Sequence, residues 1–256
     1  MKPNRIRQLL AEGKRPVGHM VMEFATRGIA KLTEFGGIDF ALIDMEHSGL
    51  GVPDVADLIA WYKATPITTI VRVPSIEYHF IARIMDAGAQ GIMAPNVRSA
   101  EEARKVVDSM RYAPEGGRGL GLGAALNDYV PPVPRDYMAA ANRDNFVICQ
   151  IESQKALDNL DAIASTPGVD CLWVGHFDLT QSLGIVAEFQ NPKFLDALKK
   201  VADTAKSHGQ AAGIQPGSLE QAKQWIDIGY NLISFSSDTG VYRSALKSAV
   251  EAVRSI

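Results

Sequence analysis

The 256-residue sequence has few cysteines, no long apolar run and no excess of basic residues. Cys149 and Cys171 lie within short apolar runs, so we interpret them as core residues and expect no disulfide framework. No segment approaches the ~18 consecutive apolar residues of a transmembrane helix. The net charge of -3 argues against nucleic acid or an anionic membrane as a partner. Because the N-terminal residues contain no apolar signal core, we expect no export signal and a cytoplasmic protein.

Eight short apolar runs alternate with longer amphipathic segments along the whole chain. Most of these runs are continuously apolar, as is expected for parallel strands that are covered on both faces. The predicted strands are residues 17–22, 40–43, 68–73, 91–94, 146–151, 171–174, 211–214 and 232–235. Helical periodicity is clearest at residues 100–110, 191–207 and 218–228, and a last helix begins near Gly240.

Eight strand–helix units in about 250 residues match the size and repeat number of a TIM barrel. The alternative is a doubly wound open sheet, which usually has fewer strands and a glycine-rich phosphate-binding turn after the first strand. Residues 23–26 (EFAT) follow the first predicted strand and lack that turn. No change of composition marks a second domain, so we predict a single α/β domain over residues 1–256, folded as a (β/α)8 barrel.

The one irregular stretch is predicted at residues 111–145, which hold five glycines between positions 116 and 123 and a group of prolines near 132. A loop of this length in a compact domain is usually functional or part of an interface. Glycine amides can bind phosphate, but no Lys-Ser/Thr pair follows this cluster. We therefore favour a closely packed loop over a phosphate site.

Charged or amide side chains follow nearly every predicted strand. In a barrel the C-terminal strand ends form one rim, and that rim carries the catalytic groups. Capping of the following helix explains single residues there, and it is an equal alternative for Ser153 and Asp238. Capping alone does not require such side chains after nearly every strand, so we expect a polar site on this rim.

Glu152 and Asp178 are the best candidates for metal ligands on this rim. They follow adjacent predicted strands, whose ends lie about 5 Å apart in a sheet. Hard oxygen ligands without cysteine or a histidine triad favour Mg²⁺ or Mn²⁺. Gln150 lies two residues before Glu152 and therefore points to the same face of its strand, where it can contact the substrate or a metal ligand.

His47 and Arg72 are the candidates for proton transfer and for anion binding. Imidazole titrates near neutrality, so His47 suits a general base, with Asp44 or Glu46 to orient it; an exposed loop histidine is the alternative. Arg72 ends an otherwise apolar strand, where an unpaired charge is costly to bury. A fixed cation at this place would stabilise an oxyanion or a carboxylate.

Six short runs in fixed order resemble the HpcH/HpaI family of metal-dependent pyruvate aldolases. They are IDMEH (43–47), VRVP (71–74), MDAGAQG (85–91), YAPEGGRG (112–119), QIES (150–153) and VGHFDL (174–179). The similarity covers nearly the whole chain, through SDTGVYR (237–243). The resemblance implies a TIM barrel that binds a 2-oxo acid and an aldehyde. It also implies a homo-hexamer built as a trimer of dimers, with the C-terminal helix exchanged between subunits.

The resemblance also assigns roles to individual residues. It implies that Glu152 and Asp178 hold Mg²⁺, Mn²⁺ or Co²⁺, with Gln150 beside the bound pyruvate. Backbone amides at 175–178, including Gly175, Phe177 and Asp178, would bind the pyruvate carboxylate. Arg72 would steady the enolate oxygen, and His47 would transfer protons with Asp86 of a neighbouring subunit. The family commonly has smaller residues at Met45, His176 and Phe177, so these positions leave the substrate open.

The sequence therefore predicts a carbon–carbon lyase that cleaves a 4-hydroxy-2-oxo acid reversibly to pyruvate and an aldehyde. No lysine stands at a predicted strand end, which argues against an aldolase that forms a Schiff base. One alternative is a decarboxylase or another metal-dependent lyase that acts on a compound such as oxaloacetate. The other is a catalytically silent barrel that serves as an oligomeric binding protein.

Overall fold

Eight parallel strands form a closed barrel in the computed structural model, which describes residues 2–256. Each strand pairs with the next along the chain, and β8 pairs with β1 to close the sheet. The predicted (β/α)8 fold is confirmed. The strands are β1 Val17–Val21, β2 Phe40–Asp44, β3 Thr68–Arg72, β4 Gly91–Ala94, β5 Phe146–Ile151, β6 Cys171–Val174, β7 Ala211–Ile214 and β8 Leu232–Ser237.

Helices connect the strands and cover the outside of the barrel. They are α1 Arg5–Ala11, α2 Ile29–Phe35, α3 Val52–Tyr62, α4 Tyr78–Asp86, α5 Ala100–Met110, α6 Pro134–Asp144, α7 Gln154–Asp158, α8 Leu160–Ala164, α9 His176–Ser182, α10 Pro192–Ser207, α11 Leu219–Ile228 and α12 Asp238–Arg254. Several start at a side-chain cap, as where the Ser218 hydroxyl accepts a hydrogen bond from the Gln221 amide. Across residues 2–256 no helix is both long and apolar enough to cross a membrane.

The strands are apolar throughout because their alternate residues enter two separate cores. One core lies between the sheet and the helices, and the other fills the barrel interior. Phe40 and Trp173 are two of the three aromatic side chains of the interior core. They need Gly18 and Gly213 opposite them, because any Cβ at those positions would overlap the aromatic rings.

The stretch 111–145 is more regular than the sequence analysis predicts. It contains a 3-10 turn at Ala125–Asn127 and the 11-residue helix α6. Pro134 occupies the first turn of α6, where proline needs no amide partner and its fixed φ favours a helix start. The prediction of an irregular loop was therefore wrong for residues 134–144.

Candidate active site

A cavity of about 950 Å³ opens at the rim formed by the C-terminal strand ends. Most residues predicted for the site line it, which agrees with the rule that this rim carries the chemistry of a barrel. They are His47, Arg72, Gln150, Gly175, Phe177 and Asp178. Glu152 is only 3% exposed and lies beneath this surface, against Gln150 and Gly175.

Three contacts fix the Glu152 carboxylate. Its Oε1 accepts a hydrogen bond from the Asn96 amide at 2.6 Å, and its Oε2 accepts one from Gln150 Nε2 at 2.8 Å. Gly175 packs so closely against the carboxylate that a Cβ there would overlap Oε2. Burial raises the pKa of Glu152 to about 7, although the Asn96 hydrogen bond acts to lower it.

Negative charge is in excess around this carboxylate. Glu46 and Asp178 lie near enough to raise the pKa of Glu152 further, and only Arg72 opposes them. Gln150 also presents a buried Oε1 that has no hydrogen-bond partner among residues 2–256. An acidic pair beside a free amide oxygen matches the hard oxygen ligands that Mg²⁺ and Mn²⁺ prefer. The residues present therefore fit a divalent cation held by Glu152 and Asp178.

A metal ion held by Glu152 and Asp178 would have only these two protein side chains as ligands. Within the described residues no group of three or more His, Cys, Asp and Glu side chains is placed to hold a metal ion together. Mg²⁺ usually keeps several coordination positions for water or substrate oxygens and takes only one or two carboxylates from the protein. A cation held by Glu152 and Asp178 would therefore keep coordination positions for the oxygens of a chelating substrate.

Arg72 is clamped by two acidic residues from β2 and the loop after it. Its Nε and Nη2 donate to the two Asp44 carboxylate oxygens, both at 2.8 Å, and its Nη1 lies 3.1 Å from Glu46 Oε2. Asp44 is fully buried and is paired with Arg72 in the β2–β3 register. Of the two residues expected to orient His47, Asp44 does not do so, because its carboxylate is bound by the guanidinium; Glu46 is the one that lies near His47.

His47 stands at the mouth of the cavity with its side chain 60% exposed. Its Nε2 lies 3.9 Å from Glu46 Oε2, which is too far for a hydrogen bond but close enough for electrostatic attraction when the ring is protonated. An exposed imidazole that faces the cavity can exchange protons with a substrate directly or through one water molecule.

Asp86 lies away from the cavity within a single chain. It is the last residue of α4, and a helix of this length separates it by roughly 12 Å from the end nearest the rim. Its carboxylate pairs with Arg118 Nη2 at 2.5 Å, and the Arg118 guanidinium lies 4.7 Å from the centre of the Tyr112 ring. A contact between Asp86 and His47 therefore needs a second subunit and stays a prediction.

The segment 175–178 forms the start of α9 beside the acidic pair. The Gly175 amide donates to Ile151 O at 3.3 Å and is therefore engaged, whereas the amides of residues 176–178 lie in the first helical turn, where amides have no intrahelical partner. The His176 ring is packed among Phe177, Phe189 and Trp225. Burial, with a smaller contribution from Arg72, lowers the pKa of His176 to about 4, so the imidazole is neutral at physiological pH.

Met45 and Asp238, which were both predicted near the rim, have roles that differ from those expected. Met45 does not line the cavity; it is buried in the core between the sheet and the helices. Ser153 caps α7, whereas Asp238 does not cap α12, since Ser237 does so. Instead, Asp238 Oδ2 accepts hydrogen bonds from the amides of residues 22–24 at 2.8–3.1 Å and fixes the loop after β1.

The far wall of the cavity comes from the loop after β7, from the end of β8 and from α12, and the residues of α12 were not predicted for the site. Gly240, Arg243, Ser244 and Lys247 all line the cavity from α12. Their spacing of three and four residues places them on one helix face. Polar residues at this helical spacing could have indicated that α12 lines the cavity, but the same pattern is equally typical of a solvated helix surface.

The chain is similar in sequence and structure to several aldolases. The family model described as HpcH/HpaI aldolase/citrate lyase matches residues 22–245. A 5-keto-4-deoxy-D-glucarate aldolase from Klebsiella pneumoniae is 32% identical over 98% of this chain and 97% of its own length. A hydroxypyruvate/pyruvate aldolase from Paraburkholderia phytofirmans is 35% identical over 94% of both chains. The crystal structure of an HpcH/HpaI aldolase from Desulfitobacterium hafniense superposes with a TM-score of 0.93 at 26% identity, over 98% of this chain and 97% of that one.

Proposed function

The chain belongs to the HpcH/HpaI aldolase/citrate lyase family, and on that premise we propose that it cleaves a 4-hydroxy-2-oxo acid reversibly to pyruvate and an aldehyde. It is a carbon–carbon lyase of the aldolase type. The observation that carries the mechanism is the buried Glu152 carboxylate, crowded by further acidic groups and open toward Gln150 and Asp178.

Glu152 and Asp178 would hold Mg²⁺, Mn²⁺ or Co²⁺, with Gln150 beside the 2-oxo acid. The bound cation would supply Lewis-acid stabilisation of the charge that develops on the 2-oxo oxygen. Arg72 would add to this stabilisation, because a guanidinium has five N–H donors and Asp44 and Glu46 engage only part of them. Amides at 176–178 would receive the substrate carboxylate at the start of α9.

The bond changes in cleavage follow from these positions. The 4-hydroxyl loses its proton toward His47, directly or through water, and its electron pair becomes the carbonyl bond of the aldehyde. The C3–C4 bond breaks, and its electrons pass to the C2–C3 unit and the 2-oxo oxygen, whose charge Arg72 would stabilise from its place in the cavity lining. Protonation of C3 then gives the methyl group of pyruvate. His47 is exposed enough to return this proton from solvent.

The assembly and location form a second part of this proposal. Residues 1–256 would act as one domain within a hexamer, a trimer of dimers in which α12 is exchanged and Asp86 reaches His47 of a neighbour. Support comes from α12, whose apolar side chains Val241, Tyr242, Leu246, Val250 and Val253 are all exposed in the single chain. The two buried cysteines are free thiols, which suits a cytoplasmic protein.

A chelation assay combined with one glycine variant tests this function. Pyruvate release from 4-hydroxy-2-oxo acids, and separately from oxaloacetate, is followed after EDTA treatment and after addition of Mn²⁺. We expect chelation to abolish release and Mn²⁺ to restore it. Gly175→Ala should lower kcat by at least about 100-fold, because its Cβ displaces the Glu152 carboxylate and its partner Gln150.

Gly28→Ala is the control outside the cavity, since the nearest atom to a Cβ there would lie at an ordinary 3.9 Å. It should keep most of the activity. Release that is indifferent to chelation would contradict the metal-dependent mechanism. Faster turnover of oxaloacetate than of every hydroxy-oxo acid would make decarboxylation the main reaction instead.

A further inference from the structure

The turn after β4 contains a residue whose backbone conformation is rare for any amino acid other than glycine. Asn96 has a φ of 54°, in the left-handed region of the backbone angles. Asparagine enters this region more readily than other residues that have a Cβ, whereas a β-branched residue is strongly disfavoured there. Such conformations persist only where the surrounding structure holds them, and they are concentrated at functional sites.

The left-handed turn directs two consecutive amides toward residues at the end of β5. The Asn96 amide donates to Glu152 Oε1 at 2.6 Å, and the Val97 amide donates to Gln150 O at 3.2 Å. Pro95 stands between β4 and the turn and has no amide hydrogen, so it cannot continue the ladder between the two strands. The next two amides of the chain bond to the residues of the site instead.

The contact between Asn96 and Glu152 comes from the backbone, whereas the Asn96 side chain is exposed. Gln150 Nε2 holds the other carboxylate oxygen, Oε2, at 2.8 Å. Each oxygen of an ionised carboxylate can accept about two bonds, so both keep a position for a cation. The Asn96 amide and the Gln150 side chain therefore fix the direction in which these remaining positions point.

We propose that Asn96 is a positioning residue for metal binding, because its left-handed backbone aims the amide that fixes the Glu152 carboxylate. This inference rests on the proposed metal-dependent function and goes beyond it, since it assigns part of the metal affinity to a backbone conformation outside the set of ligands. Groups that hydrogen-bond to metal ligands orient them, and loss of such a group typically weakens metal binding by about 10- to 100-fold. The amino acid at position 96 should therefore matter through the φ angle that it tolerates.

The test measures Mn²⁺ binding to the chelator-treated protein without substrate, by electron paramagnetic resonance of the free ion. Asn96→Gly keeps the left-handed conformation and should change the Kd for Mn²⁺ by less than about threefold. Asn96→Val should raise the Kd about 10- to 100-fold, because valine leaves this conformation and withdraws the amide. Asn96→Ala should give an intermediate Kd, and it decides the matter if circular dichroism shows that the valine variant does not fold.

Tyr129→Val is the matched control, because Tyr129 has a similar φ of 60°, is 75% exposed and does not line the cavity. It should lower the midpoint of urea denaturation as Asn96→Val does, while its Kd for Mn²⁺ stays unchanged. Equal weakening of Mn²⁺ binding in Asn96→Gly and Asn96→Val, or in Tyr129→Val as well, would overturn the role of the Asn96 backbone. If the unsubstituted protein binds Mn²⁺ and all variants bind it equally, only this inference is refuted. If the unsubstituted protein binds no Mn²⁺, the metal-dependent function is refuted as well.

Discussion

At the scale of single residues, Arg72 depends on two carboxylates that lie far from it in the sequence. Asp44 is fully buried, and its carboxylate accepts hydrogen bonds from the Arg72 guanidinium and from the Glu46 amide, so Arg72 is the cation that compensates its charge. Removal of one partner from such a pair leaves an uncompensated buried charge, which is strongly destabilising. The pair therefore contributes to the fold as well as to the proposed anion site.

Arg72→Met should lower the free energy of unfolding by about 3–5 kcal/mol, because Asp44 is left buried and unpaired. Urea denaturation followed by circular dichroism measures this change. Lys31→Met is the control, since its partner Glu34 lies on the surface and such a pair contributes at most about 1 kcal/mol. Similar losses in both variants would contradict the special role of the buried pair.

Two buried ionisable groups near the site should give opposite pH dependences of stability once divalent cations are removed by chelation. Because the pKa of Glu152 is raised to about 7, its contribution to the free energy of unfolding is present below about pH 4.5 and is lost as the pH rises to 7. The lowered pKa of His176, about 4, means that its contribution is present above pH 6.5 and is lost as the pH falls to 4. Each effect amounts to roughly 3 kcal/mol at most.

Glu152→Gln should remove the first effect, so that unfolding free energy falls more steeply toward acid than in the unsubstituted protein. His176→Gln should remove the second and give a steeper fall toward neutral pH. Thermal unfolding between pH 4 and 7 in EDTA measures both slopes. Parallel curves for the three proteins would show that neither pKa is shifted in the folded state.

The sequence predicted which residues belong to the rim but not how they pair. Spacing alone indicated that His47 neighbours Asp44 and Glu46, and the structure gives both carboxylates to Arg72. The register of two adjacent strands decides which of their side chains lie next to each other. The number of residues between Asp44 and Arg72 does not reveal that they are aligned across β2 and β3. The close approach of Gly175 to Glu152 was hidden for the same reason.

At the scale of elements, the strands were predicted well because their apolar character is continuous. For the four strands β4 to β7, the first and last residues are those that the sequence predicts. The helix α6 was missed, since prolines and glycines around it suggested a loop and its buried face is small. The break between α7 and α8 at Asn159 was also not predicted.

Asp238 joins two elements of the rim, and its loss should loosen the loop after β1. Asp238→Asn removes the charge that accepts hydrogen bonds from the amides of residues 22–24. We expect a loss of roughly 2 kcal/mol of stability and faster hydrogen exchange at these amides. Mass spectrometry of deuterium uptake measures the exchange.

Ser218→Ala provides a comparison, because it removes only the cap of α11 and should lower stability by about 1 kcal/mol. Exchange at residues 22–24 should not change in this variant. Unaltered exchange at 22–24 in Asp238→Asn would indicate that the loop is held by other contacts.

At the scale of the whole molecule, α12 is the element least covered by the rest of the chain. Its exposed apolar residues make a strip that a single subunit leaves in contact with water. An exposed apolar strip of this kind usually marks an interface.

The protein should have the mass of a hexamer in size-exclusion chromatography with light scattering, and Leu246→Asp should lower that mass. Leu246 is 48% exposed on α12, so a charge there disrupts an interface without disturbing the core of one chain. Leu219→Asp is the control, because Leu219 is 73% exposed on α11. A monomeric mass for the unsubstituted protein would contradict the assembly.

The indole of Trp173 belongs to the core of the barrel interior and also lines the cavity above it. It lines the cavity, is 2% exposed and lies over Gly213 on the neighbouring strand. A smaller apolar residue at 173 would extend the cavity downward without touching Glu152, Asp178 or Arg72. Biocatalyst engineering for bulkier ketone or aldehyde partners would therefore start at this ring, while Gly213 is the position that such libraries must leave unchanged whenever the tryptophan is retained.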